Sequence, residues 1–391
     1  MTDFGAELRR LLAERGMSLN ELARRSNYDP GYLSKVGSGQ KRATAAVAAR
    51  LDDVLGAGGS LVALADDGPL FNGGLSPDRR ERIEWARRHP GRPDAAVAES
   101  LAVVLDAQRH AEDALGSAAV IGAVLAQLTV TEDLVREARG PARPALVHVA
   151  GQWAQFTGWL HASSGQHDKA GARLSQALQW AVEAGEVNLI SEVLSFQGHA
   201  AYVAGHPGPV IGLSQAAQRD RVAYPGQLAI SAAQEAKGHA MEGRGADADR
   251  LLDEADEMAA RARERRAEAP PWLYYHTDGF FDLQRGEAYG YLADDPQYRS
   301  RAAAALASGH AALPVSAQRS EWGAEYLMHL AALHARGGDL EQACAVAMRA
   351  AGIARSTGSN RLSRVLKRLR GRLAARWPDD ARVAELAEAI R

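Results

Sequence analysis

Apolar residues recur at every third or fourth position along most of this 391-residue chain, and that spacing is typical of amphipathic α-helices. Helices are predicted over residues 4–15 and 45–55, and a series of longer helices fills residues 96–391. No segment shows the convincing alternation of apolar and polar residues expected of a half-buried strand. The pattern therefore predicts an all-α protein.

Residues 17–42 carry the signals of a helix, a tight turn and a second short helix. Ser18 is placed to cap the first helix, with Glu21 as its capping-box partner. An acidic cap at Asp29, followed by a proline, starts the second helix, which is predicted over residues 30–38. This is the layout of a DNA-reading helix-turn-helix.

The second helix of this motif is predicted to be amphipathic. Leu33 and Val36 lie three residues apart and would pack inward. The side chains predicted to project outward are Tyr32, Ser34 and Lys35. The loop that follows supplies two cations and an amide, which suit phosphate contacts better than base contacts. Those loop residues are Gln40, Lys41 and Arg42.

These residues resemble the phage-repressor-like helix-turn-helix family, often called Xre, in which a five-helix domain carries the motif LxxLAxxSxxxxxYLSKxxxGxxxP. The chain departs from the motif at Gly37, where the family usually has glutamate, and at Ala43, where it usually has proline. The matching residues are Leu19, Leu22, Ala23, Ser26, Tyr32, Leu33, Ser34, Lys35 and Gly39.

The resemblance implies two kinds of contact with double-stranded DNA. The residues at or near base edges would be Asp29, Gly31, Tyr32, Ser34 and Lys35. The residues on the DNA backbone would be Ser18, Gln40, Lys41 and Arg42. Lys35 is the strongest candidate for a base contact, because its ammonium group can donate to O6 and N7 of guanine.

Composition and charge are those of an ordinary globular protein, with 46% hydrophobic residues, 24% charged residues and a formal net charge of -2. The segment 1–65 contains nine cationic and seven acidic side chains. Neutralisation of phosphates supplies much of the affinity for DNA, so this weak excess predicts poor binding by a monomer. We therefore expect a homodimer.

Three regions are predicted along the chain. Residues 1–65 form the helix-turn-helix domain, residues 66–95 form a linker with a short helix, and residues 96–391 form the sensor and dimerisation domain. No uninterrupted apolar run is as long as a transmembrane helix and the N-terminus does not resemble a signal peptide, so we expect a cytoplasmic protein that does not enter a membrane. The single cysteine, Cys344, fits a reducing compartment.

The long C-terminal region contains an internal repeat. A small residue is followed at +3, +12, +16 and +19 by the same kinds of residue in three copies. A fainter copy, with Leu213 and Ala216, lies midway between the first two and gives a period of about 39 residues. This resembles the tetratricopeptide repeat, which is about 34 residues long and whose helix pairs stack into a superhelix. The three copies begin at Gly158, Ala236 and Ala331, and each has a histidine at +3: His161, His239 and His334.

The order of these regions resembles a group of actinobacterial regulators that join a phage-repressor-like head to degenerate tetratricopeptide repeats. The first hypothesis is therefore a dimeric, sequence-specific transcriptional regulator whose repeats sense a small molecule or a peptide. The alternative is a protein-interaction adaptor, or an antitoxin-like partner, with a weak or vestigial DNA-binding head. The weak basic charge and Gly37 favour the alternative.

One aromatic segment is the candidate ligand surface. If the segment is a single helix, Trp272, His276 and Gly279 share a face, so the glycine would leave a small gap flanked by rings. Tyr275 and Arg285 lie nearby and would complete a site for a peptide or a flat metabolite. The alternative is that these rings fill the core of a repeat.

Enzymatic signatures are missing from the sequence. It has no GxSxG, GxxxxGK[ST], HExxH or GxGxxG after a strand, and we expect no catalytic residues and no cofactor. Most of the twelve histidines are scattered, and the three at one repeat position are interpreted as packing residues. His199 and His206 lack a partner at ligand spacing, so we expect no metal site.

Overall fold

The computed structural model describes residues 4–26, 28–38, 43, 45–57, 60–61, 64, 76–91 and 93–390, and the regular structure in these residues is all helical. The all-α prediction is thus confirmed. The chain divides into two compact units, and each is described by itself. The first unit comprises Met1–Ala111 and Ala118–Trp153, and the second comprises Glu112–Ser117 and Ala154–Arg391.

Eight helices contribute to the first unit, and the last three of them also supply residues to the second. Their bounds are α1 (Phe4–Glu14), α2 (Leu19–Ser26), α3 (Pro30–Gly37), α4 (Ala45–Leu55), α5 (Pro77–Arg88), α6 (Ala95–Leu115), α7 (Ser117–Glu137) and α8 (Arg143–Ser163). Helices α1, α3 and α4 agree with the predicted ranges within one residue at each end, and α2 begins directly after the predicted cap at Ser18. The fifth helix implied for the head falls in a stretch of which only a few residues are described.

The head formed by α1 to α4 has a small leucine-rich core. Leu8, Leu22, Leu33 and Leu51 are each completely buried, and Val36 is 2% exposed. Leu33 and Val36 thus face inward, as the spacing predicted. Burying side chains of this size stabilises the head by about 1.5–3 kcal/mol each, which is how four short helices hold together.

α5 fits the short helix predicted in the linker. Ser76 caps it by accepting a hydrogen bond from the backbone N–H of Arg79, at 3.3 Å, and a proline occupies its first turn. Arg82, within α5, forms an ion pair at 2.7 Å with Asp94, which lies beyond the end of the helix. Residues 65–75 lie outside the described part of the chain.

α7 is the one helix in the described part of the chain that is long and apolar enough to cross a membrane. Its most apolar 18-residue window has a mean hydropathy of 1.5, and 44% of that window is buried. Val120, Val124 and Leu128 are completely buried in the protein, as in a core helix. By length and composition alone, the sequence therefore holds one candidate span where none was expected.

The second unit continues with twelve further helices. Their bounds are α9 (His167–Ala184), α10 (Val187–Val203), α11 (Pro207–Ala217), α12 (Pro225–Met241), α13 (Gly245–Glu264), α14 (Asp278–Tyr291), α15 (Pro296–Ala312), α16 (Val315–Gln318), α17 (Glu321–Gly337), α18 (Leu340–Thr357), α19 (Asn360–Arg376) and α20 (Ala381–Ala389). Adjacent helices pack as antiparallel pairs, most extensively α12 with α13, α14 with α15, and α17 with α18.

The predicted repeat positions lie where paired helices cross. Ala236 of α12 and Ala248 of α13 are completely buried, as are Ala331 of α17 and Ala343 of α18. At the first copy, a β-carbon placed on Gly158 would lie 2.8 Å from the Leu174 side chain, closer than real β-carbons approach a neighbour. The small residues are therefore required by close helix packing, and this region is a helical-repeat array.

Both ends of the array meet within the second unit. The indole N–H of Trp322, at the start of α17, donates to a carboxylate oxygen of Asp113 at 2.9 Å. A β-carbon on Gly165, before α9, would lie 3.3 Å from the Arg364 guanidinium of α19. Helices early in the array thus contact helices near its C-terminal end.

Candidate DNA-binding surface and inner cluster

The N-terminus of α3 is fixed by its own side chains. A carboxylate oxygen of Asp29 accepts a hydrogen bond from the backbone N–H of Tyr32 at 2.8 Å, and Pro30 occupies the first turn. At the preceding helix, Ser18 accepts from the backbone N–H of Glu21 at 3.1 Å, which is half of the predicted capping box. The sequence signals for both helix starts are confirmed.

The outer face of α3 presents most of the predicted base-contacting residues together. Gly31, Ser34 and Lys35 are exposed, and so is Asp29 at the N-terminal end of the helix. Tyr32 is partly buried, and its ring packs with its centroid 5.8 Å from that of Tyr28. Partial burial, together with Tyr28, raises the pKa of Tyr32, so it presents a neutral hydroxyl and not an anion.

The C-terminal end of α3 has a partner that sequence reasoning missed. The guanidinium of Arg9 on α1 donates a hydrogen bond to the carbonyl oxygen of Gly37. A cation at a helix C-terminus stabilises the helix by about 0.3–1 kcal/mol, which offsets much of the cost of a glycine in its last turn. The sequence signal for this contact is weak, because Arg9 lies 28 residues before Gly37 and belongs to no motif with it.

The predicted backbone-contacting residues are only partly described. Ser18 lies at the start of α2, where its hydroxyl caps the helix. Gln40, Lys41 and Arg42 lie outside the described residues. Arg24, which sequence reasoning did not single out, is an exposed cation on α2. Arg25, its neighbour, is paired with Glu21 at 2.5 Å.

Comparison with protein families agrees with this geometry. A family model described as a helix-turn-helix domain matches residues 3–65. The N-terminal segment is a helix-turn-helix domain. Its described exposed residues on α3 occupy the position from which this motif contacts base edges. No curated protein matches the chain.

The aromatic segment proposed as a ligand surface does not form one helix. Trp272 lies in a short 3-10 turn (Pro271–Leu273), and Thr277 stands at the N-terminal cap of α14. The adjacent prolines, Pro270 and Pro271, and the start of a new helix break the helical register that the prediction assumed. The spacing argument for a shared face is therefore wrong.

The expected gap at Gly279 is also absent. A β-carbon there would lie 2.2 Å from the carbonyl oxygen of Gly309, so the glycine lets α14 and α15 cross closely. His276 stacks on Phe280 with ring centroids 4.8 Å apart, and burial lowers its pKa to about 3. Tyr275 meets the same ring edge-on, at 5.2 Å. These rings fill the space that a ligand was expected to occupy.

The four residues of that predicted site make different contacts. The Trp272 indole is buried, and its N–H donates to Gln227 of α12 at 3.3 Å. Arg285 is paired with Asp253 at 3.0 Å and Asp256 at 2.6 Å, both on α13. Tyr275 and His276 pack with Phe280. Their role in ligand binding stays a prediction, without the shared face that motivated it.

A different group of polar side chains comes together in the second unit. Glu287 of α14 accepts hydrogen bonds from the Lys237 ammonium of α12 and the Tyr202 hydroxyl of α10, each at 2.7 Å. Nε2 of His329, on α17, lies 3.2 Å from the same carboxylate. One buried carboxylate thus joins four helices.

The same group extends toward α19. Arg361 forms an ion pair with Glu325 and lies 3.5 Å from Glu321. His199 of α10 lies in the same electrostatic environment, and its ring centroid is 5.7 Å from that of Tyr202. We call the whole group the inner cluster, and its members are His199, Tyr202, Lys237, Glu287, Glu325, His329 and Arg361.

The inner cluster is buried at its base and partly exposed at its rim. The side chains of Lys237 and Glu287 are 3% and 6% exposed, whereas those of His329 and Glu325 retain 37% and 33%. Aromatic rings border it: the Trp159 centroid lies 6.0 Å from that of His199. Polar groups among rings, buried below and accessible above, form the kind of lining that binds small molecules.

Protonation states in the inner cluster follow from these contacts. Burial acts to raise the pKa of Glu287, but Lys237 and His329 hold it well below its usual range. Burial opposes protonation of His329, yet the hydrogen bond and charge of Glu287 raise its pKa. Burial lowers the pKa of His199 to about 4, so this ring is neutral near pH 7.

Sequence reasoning missed the inner cluster altogether. Its residues come from five helices and share no short motif. The sequence analysis considered His199 only together with His206, which instead lies at the N-terminal cap of α11. Among the described residues, no group of three or more His, Cys, Asp or Glu side chains is placed to hold a metal ion.

Proposed function

We propose that this protein is a cytoplasmic, sequence-specific transcriptional regulator that binds DNA as a homodimer and senses a small molecule or a peptide through its helical array. The observation that carries the proposal is the outer face of α3. Its exposed polar side chains stand on a helix whose start is capped by Asp29 and whose end is held by Arg9. A rigid, solvent-facing polar helix is what base reading requires.

Lys35 is proposed as the main base contact. It is exposed in the last turn of α3, and its flexible stem can place three donors near a guanine edge. Asp29, Gly31, Tyr32 and Ser34 are proposed to line the same groove. Ser18, Gln40, Lys41 and Arg42 are proposed to hold the phosphates, together with Arg24.

Dimerisation is supported by charge and by the general geometry of the motif. The head's nine cations against seven acids give one copy little electrostatic affinity for a duplex. Two heads reading half-sites about 34 Å apart, one turn of DNA, would double both the phosphate contacts and the bases read. A regulator of this kind is expected to bind a pseudo-palindromic site.

Effector sensing is proposed for the inner cluster. Its rim combines the accessible His329 and Glu325 with aromatic rings, and its base is the buried pair Lys237 and Glu287. A ligand that prefers one arrangement of the helix pairs would shift their population and alter the spacing of the two heads. Only one spacing would match the two half-sites.

The first test is DNA binding by the full-length protein. We expect it to bind DNA upstream of its own gene in preference to competitor DNA. Lys35→Ala should lose about 1–3 kcal/mol of that binding and much of the preference. The matched control is Lys169→Ala, which removes an exposed lysine from α9 and should leave binding unchanged.

Two results would contradict the proposal. One is the absence of any sequence preference at every salt concentration and with every effector extract tried, which would favour the interaction adaptor. The other is an equal loss of binding in Lys35→Ala and Lys169→Ala. Sedimentation of the protein with and without operator DNA measures the expected dimer separately.

A further inference from the structure

Helix α19 carries an unusual concentration of positive charge. It contains no acidic residue, whereas most of the long helices around it mix charges of both signs. Its cationic residues are Arg361, Arg364, Lys367, Arg368, Arg370, Arg372 and Arg376. In the head, by contrast, acidic side chains nearly balance the cationic ones. The most basic helix of the chain is therefore far from the helix-turn-helix in sequence.

α19 is amphipathic, and four of its cationic residues lie on its exposed side. Leu362, Leu366, Leu369 and Leu373 are at most 2% exposed and hold the helix onto the array. On the side away from these leucines, Arg364, Lys367, Arg368 and Arg372 are exposed, and two of them, Lys367 and Arg368, are consecutive. We call these four residues the α19 basic face, and it extends over about 12 Å of helix.

Three members of the α19 basic face have no acidic partner among the described residues. Arg361, on the inner side, is paired with Glu321 and Glu325, and Arg376 donates to the carbonyl oxygen of Ala335. Lys367, Arg368 and Arg372, in contrast, form no ion pair with any described residue. Unpaired like charges one turn apart repel each other, so a polyanion would stabilise them.

We infer that the α19 basic face binds the phosphate backbone of double-stranded DNA, as a second contact without sequence preference. This inference rests on the proposed function, since it assumes that the head brings the chain to DNA. It also supplies what the head lacks, because each phosphate neutralised releases a counterion and raises affinity. Three exposed cations within six residues of one helix can contact neighbouring phosphates and carry no base readout.

The test compares two triple variants of the full-length protein. The first is Lys367→Gln with Arg368→Gln and Arg372→Gln. The control removes the same charge from exposed arginines elsewhere in the second unit that form no ion pair among the described residues. The control substitutions are Arg219→Gln, Arg221→Gln and Arg261→Gln. Circular dichroism and thermal melting check that both variants remain folded.

The readout is affinity for operator and competitor duplexes as a function of salt. Because three phosphates are no longer neutralised, the slope of log K against log salt should become shallower by roughly 2 to 3, and affinity at low salt should fall at least about tenfold. Operator and competitor should be affected alike, so the preference between them stays. The control variant should keep the native slope.

Distinct results separate the failure of this inference from that of the proposed function. The native protein could bind operator and competitor DNA equally while the α19 variant still shows a shallower dependence of log K on log salt. In that case the regulator proposal fails and the phosphate contact stands. If operator binding is native in the α19 variant, or if both variants lose slope equally, the inference is overturned. Binding of polyglutamate is measured with the same two variants. If the α19 variant loses only that binding and binds DNA like the native protein, the inference is overturned and the α19 basic face binds an acidic protein partner.

Discussion

The outer face of α3 and the inner cluster hold their polar side chains in opposite ways. In α3, one short segment supplies every residue, and its polar groups point to solvent over a core of leucines. In the inner cluster, helices α10, α12, α14, α17 and α19 each supply one or two residues. A surface for a large, rigid partner needs only one helix, whereas a recess for a small ligand has to be enclosed by several.

The two regions also differ in what their polar groups contribute to folding. Those of α3 are solvated, so the head tolerates their exchange at little cost in stability. Those of the inner cluster are buried and stabilise one another only as a set. We therefore expect substitutions in α3 to change binding and substitutions in the cluster to change stability.

Removal of Lys237 is the strongest test of this difference between the two regions. Lys237→Met leaves the buried Glu287 without its main counter-charge and should lower the free energy of unfolding by about 3–5 kcal/mol. Adding Glu287→Gln should recover part of that loss. Urea unfolding measures both. Lys169→Met, on the exposed side of α9, is the control, and an equally small effect of both lysine variants would contradict a stabilising cluster.

A second prediction uses a carboxyl group near the inner cluster. Burial, with Asp113 and Glu321 nearby, raises the pKa of Glu112 to about 7 from an ordinary value of 4.5. Between these pH values only the unfolded chain gives up the proton, so the native protein loses stability as pH rises, by about 3 kcal/mol in all. Below pH 4.5 this loss is absent.

Glu112→Gln should remove this pH dependence. The amide still accepts hydrogen bonds from Ser117 and Trp159, which contact Glu112 at 2.6 Å and 3.4 Å. The variant is expected to be more stable than the native protein at pH 8 and about equal to it at pH 4.5, as measured by urea unfolding. A variant with the native slope between these pH values would show that another group is responsible.

A third prediction concerns the close crossings of the array. A β-carbon on Gly286 would lie 2.9 Å from the backbone nitrogen of Leu306, whereas one on Gly290, a turn later in α14, meets nothing within 4 Å. Gly286→Ala should therefore cost about 1–3 kcal/mol, and Gly290→Ala should stabilise by about 1 kcal/mol or less. Thermal melting distinguishes the two variants, and equal shifts in melting temperature would contradict the close crossing of α14 and α15.

The smallest predicted effect is in the head. Asp29→Ala removes the cap of α3 and should cost about 1 kcal/mol, while Asp29→Asn, which also caps helices, should cost little. Hydrogen exchange at the amide of Tyr32 reports this cap directly. If both variants lose protection equally, the negative charge of Asp29 and not its capping hydrogen bond stabilises the start of α3. The head would then depend on charge for its stability, as the inner cluster does.

Sequence reasoning succeeded where the determinants are local. Leu33 and Val36 were correctly placed in the core, and Ser18 and Asp29 were correctly predicted as helix starts, because caps and spacing act within one turn. The repeat alanines were found because every close crossing imposes the same small size. The helical array followed from that regularity.

It failed where the determinants are distant. No local signal links Glu287 to Lys237, 50 residues earlier, or to Tyr202, 85 residues earlier. The aromatic segment was misinterpreted for the converse reason: a helical face was assumed across a proline pair and a helix cap. Gly279 was then taken for a gap, although it is filled by α15, a helix later in the chain that crosses it at Gly309.

The hydrogen bond between Trp322 and Asp113 has a consequence for how the array folds. Open solenoids fold by nearest-neighbour propagation, and a truncated array keeps the stability of its remaining repeats. Here the indole joins residues 209 positions apart, so the early helices gain their last contacts only when the late ones are in place. Unfolding of this array should therefore resemble the single concerted transition of a globular domain, and loss of its last helices should weaken its first.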